Sequence, residues 1–174
     1  MVLAAINPIE QANRARDAKY KADGSQLLAA LDRYYVSTDQ YPWMVGTTLT
    51  VDTAINFTTA AAVNMGICLT AACTGTSGQG YLVSNNELKS EFMNRDFVTK
   101  TLFSDLLYIG KELGSASSVY ICYVPKSKSE RSKATKTLTT TSPTLGTVAA
   151  ADCGNPAVKT YATLASSCVT CLPQ

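Results

Sequence analysis

Residues 2–36, VLAAINPIEQANRARDAKYKADGSQLLAALDRYYV, read as one long helix, and no other segment limits the fold as strongly. Ala, Leu, Gln, Lys and Arg dominate it, and these residues lose little freedom on becoming helical. Glu10 with Arg14, and Asp17 with Lys21, are acid-before-base pairs at i, i+4, the order that supports a helix. Pro8 lacks an N–H, so it either kinks the helix or marks its first turn, and Gly24 is a mild weak point. The two halves differ. From Tyr20 onward, Tyr20, Leu27, Leu28, Leu31, Tyr34 and Tyr35 form a stripe at helical spacing that can lie on a sheet. Between Glu10 and Lys19 the only apolar side chains are alanines, so that half has little to bury against its own domain. It is either a solvated helix end or a helix that packs against copies of itself. The stretch STDQYPW then ends the helix through turn-forming Ser, Thr and Asp and through Pro42.

What the helix packs on must come from the remaining residues of a 174-residue chain, a length that fits one domain with a real core. Residues 45–84 form a long Thr/Ala/Gly-rich connection with short β-like pieces. Within it TGTSGQG lacks the lysine of a phosphate-binding loop. SNNELKSEFMNRDFVTKTLFSDLLYIGKELGS predicts a second helix or two short ones, capped by Ser84, Asn85 or Asn86. Leu88, Phe92, Phe97, Leu102, Leu106 and Leu107 would supply its buried face. SVYICYV (118–124) is the best strand, and VKTYATLAS (158–166) is a second one. A long helix followed by mixed structure and a C-terminal antiparallel sheet makes the class α+β.

The chain has no histidine. That removes Ser-His-Asp and Cys-His catalysis, His-ligated zinc and the usual neutral-pH base. Glu87, Glu91, Asp96 and Asp105 could in principle pair as catalytic carboxylates, but no nucleophile or glycine motif accompanies them, and a solvated face accounts for them better. Enzyme activity is not expected, and no cofactor is implied. The six cysteines, Cys68, Cys73, Cys122, Cys153, Cys168 and Cys171, suggest disulfides and an oxidising compartment. Fifteen pairings are possible. Short loops favour Cys68–Cys73 and Cys168–Cys171, leaving Cys122 with Cys153; the rival is a zinc site of Cys68, Cys73, Cys168 and Cys171. A net charge of +2 is too small to argue for nucleic acid by itself. Lys126, Lys128, Arg131, Lys133 and Lys136 are locally basic, with Glu130 the one acid among them. They form a solvated loop or a contact for DNA or another surface. The tyrosines and Trp43 after the helix read as core packed under a loop rather than as an adhesive patch. Thr137–Thr147 and the Asn56-Phe57-Thr58 sequon are candidate glycan sites.

The opening resembles the type IV pilins and the pseudopilins of type II secretion. The matching residues are Asn7-Pro8, Arg14-Ala15-Arg16-Asp17-Ala18-Lys19, Ala22-Asp23, Leu31, Tyr34-Tyr35 and Tyr41-Pro42, about 40 residues in all; KTYATLAS is similar to the last strand of many pseudopilins. The resemblance implies a helix at 1–44 and a globular head at 45–174, with disulfides pinning the loops. It implies that a leader, a prepilin-peptidase site and most of an apolar membrane helix precede Met1, MVLAAI being the remnant. It also implies polymerisation into a helical surface filament by separate assembly machinery, for adhesion, motility or DNA uptake, with the inner membrane holding the subunit beforehand. The pseudopilin version would act in the periplasm, and the remaining alternative is a soluble secreted disulfide-bonded binding domain with no filament role. Ile6, Pro8, Glu10, Arg14, Arg16, Asp17 and Lys21 would meet neighbouring subunits. Six cysteines exceed the family's habit, and the few acids after position 113 make the pseudopilin calcium site doubtful.

Overall fold

The computed structural model describes residues 7–69, 73 and 78–173. Helix α1 runs Pro8–Thr38. Asn7 caps it, its side chain accepting from the Ile9 N–H at 3.1 Å, and Pro8 occupies the first turn, where its missing N–H costs nothing. Pro8 therefore starts the described helix instead of kinking it; residues 2–6 of the expected helix lie outside the described residues. Asp39 closes α1 in the left-handed region, at φ 56°, with its N–H on the Tyr35 carbonyl.

Strands β1 (Ile55–Thr59), β2 (Leu107–Lys111), β3 (Val119–Tyr123) and β6 (Thr170–Leu172) form an antiparallel sheet in that order. Between them lie one-turn helices α2 (Tyr81–Ser84), α3 (Asp96–Thr99), α4 (Lys128–Arg131) and α5 (Ala150–Gly154), and a small ladder of β4 (Lys136–Thr137) with β5 (Gly146–Thr147). Alternation along each strand divides the sheet into two faces. Leu107, Ile109, Val119, Ile121 and Tyr123 share a core with Tyr20, Leu27, Leu31 and Tyr34 of α1. Each of these large buried side chains contributes roughly 2 kcal/mol. Gly24 is where helix and sheet approach closest: a Cβ there would lie 3.2 Å from the Leu172 side chain and 3.4 Å from that of Ile121. The expected weak point is a close-packing site. On the opposite face Phe57, Tyr108, Cys122, Val124 and Cys171 are covered by Leu138 and Leu145 of the Thr-rich segment. Phe57 lies over Gly110, where any side chain would strike its ring.

Three sequence expectations need correction. Residues 84–115 hold no long helix: α3 and the one-turn 3-10 pieces Ser90–Asn94 and Phe103–Asp105 replace it, and the last part becomes β2. The apolar spacing has a strand's period of two at its end, because Leu107 and Ile109 face α1 while Tyr108 between them faces away. Leu102 is exposed, and Ser84 ends α2 instead of capping a helix. Second, 158–166 is not a strand. Tyr161 sits at φ 54°, and Thr163 with Ser166 forms a side-chain-bonded turn. The last strand is β6. Third, the expected Cys68–Cys73 bond is present, but the other two disulfides are Cys122–Cys171 and Cys153–Cys168 in place of Cys168–Cys171 and Cys122–Cys153. Cys168 and Cys171 sit in or beside an extended strand, whose alternation separates them, so each joins a different neighbour. The four-cysteine zinc arrangement is excluded by the same bonds.

Candidate functional site

The first half of α1 is held on its own head by polar groups in place of apolar ones. Asp17 is buried, and its carboxylate accepts from the Lys126 N–H at 3.0 and 3.1 Å and from the Ser127 N–H at 2.8 Å. Two turns earlier Glu10 accepts from the Lys128 N–H at 3.0 and 3.2 Å, which holds its carboxyl below the ordinary range. Both carboxylates thus anchor the turn that leads from β3 into α4. Arg16 donates to the carbonyls of Ser104 and Val124 and to Asp105 at 3.1 Å, and lies 4.1 Å over the Tyr20 ring. Lys126 Nζ meets the same Asp105 at 2.8 Å. Burial pushes the Asp105 carboxyl up, but Lys126 and then Arg16 outweigh it and hold it below the usual range. Further along, Lys19 pairs with Asp96 at 3.2 Å and Arg95 with Asp23 at 3.3 Å. Burial raises the Asp23 carboxyl, with Arg95 and Lys19 opposing.

These contacts redistribute the residues expected at a subunit interface. Asp17 is turned into the head, and the half-buried Glu10 and Arg16 also bond to it, through backbone donors and acceptors that the helical sequence alone does not reveal. Pro8 and Arg14 are exposed, Arg14 pairing with Glu10 at 3.3 Å. Lys21 borders a cleft beside β6. Ile6 lies outside the described residues. The outward face of α1 instead presents Ala15, Ala18, Ala22, Ser25 and Ala29, all exposed and alternately three and four residues apart, so they form one line along the helix.

The basic stretch is not a single patch. Lys126 is taken up by Asp105. Arg131 donates to the Pro125 carbonyl at 3.0 Å and stacks 3.8 Å over Tyr161, an aromatic partner from 30 residues away in sequence that a local reading could not supply. Tyr161 in turn donates to the Cys153 carbonyl. Lys128 lines a second cleft with Asn7 and Glu10, Lys133 pairs with Glu130 at 3.5 Å, and Lys136 lies 3.5 Å from the Thr147 hydroxyl. The four acids that could in principle pair as catalytic carboxylates are held apart: Glu87 pairs with Arg33, Asp96 with Lys19 and Lys100, and Asp105 with Arg16 and Lys126, while Glu91 is exposed. Among the described residues no group of three metal-ligating side chains forms a metal site. Trp43 is buried, as expected, and completes a stack with Tyr41 and Tyr35 at 4.7 Å spacings. Asn56 is exposed on β1. No helix among the described residues is long and apolar enough to cross a membrane.

No family model, curated protein or solved structure matches this chain.

Proposed function

We propose that this chain is a structural subunit of a type IV pilus-like surface filament. The observation that carries the reading is the two-sided α1. Its inner face is committed to the sheet and head, while its exposed side carries a line of alanines and a serine at five helical positions, Ala15 to Ala29, flanked by Arg14, Lys19 and Lys21. Large side chains keep helix axes about 10 Å apart, and small ones permit the closest approach, so such a face suits packing between parallel copies in a filament core. The pilin-like opening of the sequence and an α+β head pinned by three disulfides fit the same role outside the cell.

The test is top-down mass spectrometry of the native protein in filaments sheared from the producing cells. A methylated N terminus preceding Met1 by about 20 or more apolar residues supports the reading. Abundance in the sheared fraction distinguishes a pilus from a periplasmic pseudopilus. A native protein without such an extension, and absent from any filament, would end it.

A further inference from the structure

A cleft of about 560 Å³ runs along the outer edge of β6. As the last strand of its sheet, β6 pairs through one edge only, with β3. Just before it, Val169 donates its N–H away from β3, to the Lys136 carbonyl at 2.8 Å. Backbone groups of an antiparallel strand alternate between its two edges, so Thr170 turns to β3 and Cys171 turns outward. The 4.0 Å between the Cα atoms of Cys122 and Cys171 agrees, because opposed residues this close are those that exchange no backbone hydrogen bonds. The Cys171 N–H and C=O therefore face the cleft, and no backbone group among the described residues pairs with them.

The walls differ in chemistry. Tyr120, Leu145 and Val169 belong to the apolar cluster on the sheet face away from α1. Among the described residues, Lys21, Lys133 and Lys136 line the cleft with one carboxylate, Glu130, which pairs with Lys133 at 3.5 Å. A strand added to this edge would send alternate side chains to opposite faces. We propose that the β6 edge accepts a short extended segment of a partner protein in which two acidic residues alternate with apolar ones. The Cys171 backbone holds the segment's main chain, the lysines take its carboxylates and the apolar wall takes the side chains between. The edge is three residues, about 10 Å, and Pro173 has no N–H to extend it. Residues 1–174 offer no such segment themselves, since no two acids among them lie two residues apart. The inference is independent of the filament reading.

The test is an amide NMR titration of the disulfide-intact protein with an acetylated five-residue peptide alternating valine and glutamate. Saturable shifts at Cys171 and Lys136, with slowed exchange of the Cys171 amide, are expected. Lys133→Glu, at an exposed side chain, and Lys136→Glu should each weaken binding about tenfold while the rest of the spectrum is unchanged. Equal binding of a valine–lysine peptide, equal shifts with free glutamate or inorganic phosphate, or no shifts at millimolar peptide would each overturn the proposal.

Discussion

Asp17 does in the first half of α1 what leucine does in the second: it fixes the helix to the head. A buried carboxylate that accepts two backbone N–H groups and sits 3.0 Å from the Arg16 guanidinium holds more than a neutral contact would. Removing it also strands two buried donors. Asp17→Ala is expected to lower the unfolding free energy by about 3 kcal/mol. Urea unfolding would show this as a lower midpoint with an unchanged slope, and an unmoved midpoint would mean that the joint contributes nothing. Asp105 adds a pH dependence. Its carboxyl is held below the ordinary range, so in acid the unfolded chain binds its proton first. The stability it contributes is complete above about pH 4 and is lost as pH falls below that value. Lys126→Met removes the 2.8 Å partner, so it should lower stability at neutral pH and make the acid loss below about pH 4 shallower. A parallel acid limb in wild type and variant would assign that limb to other groups.

At the scale of elements, the disulfides secure strands too short to be stable alone. Cys122–Cys171 ties three-residue β6 to β3 across 49 positions, and Cys153–Cys168 ties α5 to the residues entering β6 across 15. Chain-entropy reasoning gives about 4 and 3 kcal/mol respectively. Trypsin separates this connectivity from the one that loop length favours. Cleavage after Lys111, Lys126, Lys136 and Lys159 yields 112–126 with Cys122, 137–159 with Cys153 and 160–174 with both Cys168 and Cys171. The structure predicts one three-peptide species under non-reducing conditions; a closed 160–174 beside a linked pair of the other two would restore the pairing expected from loop length. The same elements show what the sequence makes legible. α1 and β3 carry their period, caps and composition locally, so both were readable. β2 was not, since its core residues continue an apolar spacing that also fits a helix. β6 was not either: its three residues gain strand character from β3 and a disulfide partner 49 positions away. The Asp17 joint was unreadable for a related reason, as its partners are backbone N–H groups, which every sequence has and none displays.

At the scale of the whole molecule, the exposed side of α1 carries a line of small residues flanked by the exposed charges of Arg14, Lys19, Lys21 and Arg33. Reversing Arg14 and Asp17 together would confuse assembly with stability, because Asp17 is buried in the head while Arg14 is exposed. The line from Ala15 to Ala29 separates the two. Ala18 and Ala22 are exposed and near the middle of the line, so Ala18→Arg or Ala22→Arg should change the stability of the isolated chain by no more than about 0.5 kcal/mol. In a filament the same arginine would stand between helices that need close contact, and its bulk and charge would have to be accommodated without water. Sheared fractions from cells making either variant should contain few or no filaments, with the subunit retained by the cell. Ala22→Ser, which preserves the small size, should leave filament yield near that of wild type. Loss in the arginine variants with retention in the serine one would place the contact on this face and tie it to size. Undiminished filaments in both arginine variants would remove the outer face of α1 from the assembly, and with it the observation on which the filament reading rests.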